Sequence, residues 1–123
     1  MPVKVVDVSA VAAMIFGEPE NDRVADRLTG ATLKSPTLFD YELSSVCLKK
    51  FRKSDNPDAA LIAYQLRRGL TIELVQVDHD DVLKLAQNTG LTAYDASYLW
   101  LSEHLGVELV TLDKQLAKAA ARR

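Results

Sequence analysis

The chain has 123 residues, 48% of them hydrophobic, with 15 lysines and arginines against 17 acids and a formal net charge of −2. That length suits one domain and that apolar share suits an ordinary globular core, which excludes a second domain and a disordered chain. The slight acidity excludes a wholly basic nucleic-acid coat, and a single cysteine, Cys47, excludes an internal disulfide and a thiolate metal cluster. Asp7 interrupts the first apolar run too early for a signal peptide, and no run approaches the ~20 residues of a membrane span. The expectation is a soluble cytoplasmic protein, folded as one unit over residues 1–123.

Val3–Val6 is a short aliphatic run closed by Asp7, the pattern of a strand buried in a parallel sheet. Ser9 is placed to cap a helix over Ala10–Phe16, and Gly17 with Pro19 separates it from a second helix over Glu20–Leu28. Ala31–Lys34 reads as a short strand. Ser35 and Pro36 form an N-cap and first-turn pair for a helix over Pro36–Lys53. Asn56 and Pro57 open another that runs to Arg68, making a helical hairpin. Thr71–Val77 reads as a strand, Asp80–Asn88 as a helix ended by Gly90, and Ala93–Leu105 as a helix ended by Gly106. Glu108–Leu112 is the last strand and Asp113–Ala121 the last helix. The alternation predicts an α/β fold, a three-layer α/β/α sandwich with a mainly parallel sheet. Such folds bind ligands at the carboxyl ends of strands, which singles out Asp7 and Asp113.

Two acids on helices stand in apolar surroundings. Glu42 shares a helical face with Leu38, Phe39, Ser45 and Val46, and Asp95 opens the stretch YDASYLWL, apolar almost all round. Simpler roles exist for three of the four acids. Thr92 and Asp95 have capping-box spacing, Asp113 fits an N-cap, and Asp7 could cap as well, although Ser9 is better placed. Glu42 lies inside its helix with no capping role, and burying it unpaired costs several kcal/mol, so a lysine or arginine partner is the alternative. Taken together, two acids at strand ends and two on packed helices have one meeting place. Two carboxylates about 4 Å apart repel by roughly 4 kcal/mol at an effective dielectric near 20, so four demand cations or protonation. Mg2+ or Mn2+, hard ions that take oxygen ligands, answer that demand. Zinc would need His79 and His104, which have other roles in a turn and at a helix end. A carboxylate cage with a bound divalent ion suits phosphodiester hydrolysis.

VVDVSAVAAMIFGEPE at the start, PTLFDYELSSV in the middle and GLTAYDASYLWLSEHLGVELVTLDKQLAKAA at the end resemble the PIN-domain ribonucleases, closest to the VapC-type toxins of toxin–antitoxin pairs. The resemblance implies a PIN fold, metal-dependent cleavage of RNA by Asp7, Glu42, Asp95 and Asp113, a cognate antitoxin, and a homodimer. It also assigns Ser9 and Thr111 to hydroxyl positions that orient the acids or a bound water. Ser45 stands where many relatives carry asparagine. Lys49, Lys50, Arg52 and Lys53 crowd one helix end, Arg67 and Arg68 the next, and Lys114 and Lys118 follow the last acid; these are candidates for phosphate contact. Asp78, Asp80 and Asp81 read as helix-start acids rather than a metal cluster. Tyr98 and Trp100 read as core or dimer contacts. The rival readings are a phosphoacceptor receiver domain, which would place magnesium beside Asp78, and a non-catalytic PIN-like binding module.

Overall fold

The computed structural model describes residues 1–123. Four strands, β1 (Val3–Val6), β2 (Thr32–Pro36), β3 (Ile72–Val75) and β4 (Glu108–Val110), form one parallel sheet in the order β3-β2-β1-β4. The helices are α1 (Val8–Ile15), α2 (Asn21–Leu28), α3 (Phe39–Lys53), α4 (Pro57–Gln65), α5 (His79–Thr89), α6 (Ala93–Leu105) and α7 (Lys114–Ala121). A 3₁₀ turn, Leu66–Gly69, extends α4.

Strand order and handedness together produce the layers. The steps from β1 to β2 and from β2 to β3 run in one direction, so right-handed crossovers carry α1–α4 over one face. The step from β3 to β4 returns past β2 and β1, which sends α5 and α6 over the other. The packing agrees: α1 lies on α2 and α3, and α3 on α4, whereas α6 lies on α5, α7 and strands β1, β2 and β4. The expected three-layer sandwich is therefore present, and Val5, Val6 and Val110 are fully buried at its centre.

Helix α6 is the clearest case of sequence dictating placement. Ala96, Ser97, Tyr98, Leu99, Leu101 and Ser102 are all buried, so the helix sits between the sheet and its neighbours instead of showing one wet face. Its two serines are satisfied within the helix, Ser97 donating to the Ala93 carbonyl at 2.8 Å and Ser102 to the Leu99 carbonyl at 2.9 Å. Gly106 ends it at φ 67°, the left-handed conformation that glycine adopts without a Cβ penalty.

Two helix starts differ from the sequence reading by two residues or more, both because a serine hydroxyl has a tertiary target. Helix α1 begins at Val8 with Asp7 in the N-cap position, and the Asp7 carbonyl accepts from the amides of Ala10 at 3.1 Å and Val11 at 3.4 Å. Ser9 is thus inside the helix. Ser35 and Pro36 belong to β2, and α3 starts only at Phe39. The Ser35 hydroxyl donates to the Val6 carbonyl at 2.6 Å, tying β2 to the end of β1 rather than capping a helix.

The order of strands reverses at β1, whose neighbours are β2 and β4. In an open parallel sheet the crevice outside the carboxyl ends at such a reversal is where ligands bind. The residues that follow β1 and β4 there are Asp7 and Thr111–Asp113.

Candidate active site

A closed hydroxyl network holds the strand-end half of the site. Asp7, 6% exposed, receives two hydroxyl protons at one oxygen, Oδ2: one from Ser9 Oγ at 2.7 Å and one from Thr111 Oγ1 at 2.7 Å. Each hydroxyl accepts a backbone amide in turn, Ser9 from Leu112 at 2.9 Å and Thr111 from Asp113 at 3.0 Å. Because the amides occupy their acceptor side, both hydroxyls are directed to donate to Asp7. The network ties β1, α1 and the loop after β4 together, and it leaves the other oxygen of Asp7 without a protein partner. Asp113 caps α7, its Oδ1 accepting the Leu116 amide at 2.9 Å, and its second oxygen is likewise without a partner.

The helix-borne half is held more sparsely. Glu42 sits in α3 and its Oε1 accepts one hydrogen bond, from the buried Tyr98 hydroxyl of α6, at 2.7 Å. Burial pushes the Tyr98 phenol well above its ordinary value, with the Glu42 carboxylate adding to the rise, so it stays a donor. Thr92 caps α6 by accepting the Asp95 amide at 3.1 Å, but the Asp95 carboxylate makes no return bond to Thr92. Half a capping box is formed, and the acid itself is left for other work.

Electrostatics joins the two halves. Burial raises the Glu42 pKa, the Tyr98 hydrogen bond opposes the rise, and the charges of Asp7 and Asp95 add to it. Burial also raises Asp95, followed by the charges of Asp113 and Asp7. The charges thus link the acids pair by pair, Glu42 with Asp7 and Asp95, and Asp95 with Asp113 and Asp7. None has a lysine or arginine within 4.0 Å, although six other ion pairs occur in the chain, so the cationic partner considered for Glu42 is not there. The side chains do not close on a single point: no three Asp, Glu, His or Cys side chains stand close enough to hold one ion as they lie.

A cleft of about 470 Å³ opens beside Glu42, lined by Val8, Leu38, Tyr41, Ser45, Lys49 and Tyr94 among others. Lys49 and Val46 also line an adjoining groove of about 550 Å³ with Lys50 and Lys53. Three of the four clustered cations on α3 therefore border a path leading from the acids, while Arg52 borders neither cavity. Lys50 also pairs with Glu18 at 3.4 Å, and Arg67 is committed to Asp40 at 2.9 Å. Lys114 is exposed on the first turn of α7, beside Asp113. Lys118 lies elsewhere, in a cleft with Asn88, Gln115 and Arg122 that none of the four acids lines.

Other residues take the plainer roles. Asp78 caps α5 by accepting the Asp81 amide at 3.1 Å, and it follows the edge strand β3, away from the strand reversal. His104 stacks on half-buried Trp100 at 4.6 Å between ring centroids, and Tyr98 is core. Cys47 is buried between α3 and α4, its thiol pushed up by burial. Tyr41 and Tyr94 were not singled out by the sequence reading. Their signal was present: each immediately precedes a site acid, as Tyr-Glu at 41–42 and Tyr-Asp at 94–95.

A parallel α/β sheet carrying unpaired acids at its strand reversal defines a class of acidic-site α/β proteins. Residues 4–122 match the PIN domain family, and the chain belongs to it. It is 29% identical over 120 residues to Ribonuclease VapC3 of Pyrobaculum aerophilum, covering 93% of this chain and 92% of that protein. It is 51% identical over 81 residues to Exonuclease VapC9 of the same organism, a match covering 64% of this chain and 60% of the relative. The crystal structure of PAE2754 from Pyrobaculum aerophilum superposes with a TM-score of 0.76 at 28% identity, over 96% of this chain and 86% of that one. The family expected from the terminal motifs is thus the family found, and the receiver reading falls away. No helix is long and apolar enough to cross a membrane.

Proposed function

We propose that this chain is a divalent-metal-dependent endoribonuclease of the cytoplasm, the toxin of a toxin–antitoxin pair. The carrying observation is that four acids without a cationic partner share one space at the strand reversal of a PIN domain. The names of the relatives, ribonuclease and exonuclease of the VapC series, support nuclease chemistry, and the resemblance of the terminal motifs to VapC-type toxins supports the toxin role.

The donor set fits a hard ion. Every unpaired donor is a carboxylate oxygen, the chemistry Mg2+ and Mn2+ prefer, and two of the acids are raised in pKa by burial and by one another. Asp7, Glu42 and Asp95 would hold the ion, with Asp113 completing the set or holding a second ion or a water. Such an ion would supply Lewis acidity, making water a better nucleophile toward a phosphodiester. Ser9 and Thr111 aim Asp7, and Tyr98 anchors one oxygen of Glu42, so a ligand set is held from two sides of the crevice. Lys49, Lys50 and Lys53 line the route by which RNA phosphates would approach. The homodimer that the family resemblance implies belongs to the same proposal.

The direct test is cleavage of a defined RNA with magnesium, with EDTA, and with Asp7→Asn. Loss of at least ~100-fold in both cases is expected, by comparison with the losses that follow from disturbing metal ligation. Activity that survives both overturns the mechanism, and an inactive but RNA-binding chain gives the binding-module reading instead. The name of the 51% identical relative favours one second reading, an exonuclease. A circular RNA separates them, since an endonuclease linearises it and an exonuclease leaves it intact.

A further inference from the structure

Eight aromatic residues occur in the chain, and six are accounted for by packing or partners. Phe39 and Tyr98 are core, Phe16 lies under Lys50, Tyr64 shares a hydrogen bond with Ser44, Trp100 stacks on His104, and Phe51 lines the groove between α3 and α4. The two left over are Tyr41, 81% exposed, and Tyr94, 65% exposed. Neither ring stacks on another residue or a cation, and neither hydroxyl is hydrogen-bonded. Single exposed tyrosines need no explanation, but these two line the same cleft, the one that contains Glu42.

Their positions follow from helix geometry. Successive residues on a helix diverge by about 100°, so a helix that turns Glu42 toward Tyr98 presents Tyr41 to the cleft. On α6 the same offset separates Asp95 from Tyr94. Each ring is thereby carried on the same helix as an acid and one residue from it, from opposite faces of the sheet. Lys49, without an acid partner, lines that cleft too, and Val8, Leu38 and Val46 make its walls apolar.

Exposed aromatic faces beside a cation are the recognition chemistry of unpaired nucleotides: the base stacks on the ring and the phosphate meets the charge. Bases within a duplex are already stacked on one another and offer no free face. We propose that Tyr41 and Tyr94 are a pair of base-stacking contacts flanking the acids, which select unpaired RNA over duplex. The proposal rests on the nuclease reading for its substrate, and it specifies how that substrate is held.

The test is binding rather than cleavage. Fluorescence anisotropy would measure Kd for a 12-residue single-stranded RNA and for the matching duplex, in EDTA and again in magnesium with the Asp7→Asn chain. Tyr41→Ala and Tyr94→Ala should each raise the single-strand Kd by about tenfold, the size expected for loss of one stacked base. Phe at either position should restore it and Leu should not, and duplex binding should change by less than about twofold. A 2-aminopurine placed in the strand should lose fluorescence on binding, and lose less with either Ala variant. The proposal is overturned if the unsubstituted chain does not bind the single strand, if Leu rescues as well as Phe, or if duplex and single strand weaken alike. Cleavage without this pattern sinks the stacking contacts alone, whereas the pattern without cleavage sinks the nuclease reading and leaves the contacts standing.

Discussion

The two halves of the acid site are built differently. The strand-end half is a closed network in which Asp7, Ser9, Thr111 and two backbone amides satisfy one another in fixed directions. The helix half has a single hydrogen bond to a carboxylate, from Tyr98 to Glu42, and none to Asp95, and both its acids are raised in pKa by burial and by negative neighbours. Folding fixes the direction of Asp7 and leaves one of its oxygens open, whereas the helix half is held by a single bond. The division follows from chain topology, because strand ends and the loops after them meet at short range and can exchange backbone bonds. Helices packed from opposite faces of the sheet meet only through long side chains.

The largest consequence is that a divalent ion should stabilise the fold through the helix half. Magnesium or manganese at 100 times its Kd stabilises a folded state that alone binds it by about 2.7 kcal/mol, a Tm rise on the order of 10 °C for a chain of this size. Differential scanning fluorimetry with and without EDTA reads the shift directly. The double variant Glu42→Gln with Asp95→Asn should lose most of it, although its strand-end network is intact. A full shift in that variant would show that the strand end alone holds the ion.

A smaller effect separates positioning in the two halves. Thr111→Val keeps the shape but removes the proton given to Asp7 and leaves the Asp113 amide without its acceptor. Disturbing a partner that orients a ligand typically costs about 10- to 100-fold, so cleavage should fall by that factor and midpoint metal concentration should rise. Tyr98→Phe removes only the one bond to Glu42 and should cost less on both readouts. Equal losses would mean that the helix half is positioned as firmly as the strand end, against the contrast in their hydrogen bonding.

How much of this was legible beforehand tracks the same division between local and tertiary contacts. Helix α6 is read correctly from Thr92, an apolar run and Gly106, because caps and periodicity are properties of neighbouring residues. Ser9 and Ser35 mislead because their hydroxyls serve partners distant in sequence, Ser9 accepting from the Leu112 amide while it donates to Asp7, and Ser35 reaching back to Val6. Asp113 caps α7 with one oxygen while its charge reaches Asp95, so the capping role does not exclude the proposed site role. Glu42 stands out in the sequence for its apolar face, yet only packing shows that its partner is a tyrosine and not a cation. Lys118 is near Asp113 in sequence but a full helical turn further along α7, which carries it into another cleft. Tyr41 and Tyr94 escape notice because an exposed tyrosine and a buried one look alike until the fold is known.

The smallest expected effect is also the one that tests the helix half without any ion. Burial foremost, then the charges of Asp7 and Asp95, hold the Glu42 carboxyl above its ordinary value of 4.5, against the opposing Tyr98 bond. The folded chain therefore binds that proton more tightly than the unfolded chain, and stability must fall as pH rises through the interval above 4.5. The penalty is absent below the ordinary carboxyl value and complete once the pH exceeds the raised one. Glu42→Gln removes the titration while its amide oxygen still accepts from Tyr98. In EDTA the variant should match the unsubstituted chain near pH 4 and melt at a higher temperature near pH 7, with the gap opening across that interval. With saturating magnesium the order should reverse, because the carboxylate that destabilises the metal-free fold becomes a ligand. A Glu42→Gln chain that is less stable than the parent at neutral pH in EDTA would show that the Tyr98 bond outweighs burial and repulsion, and that the helix half is as settled as the strand end.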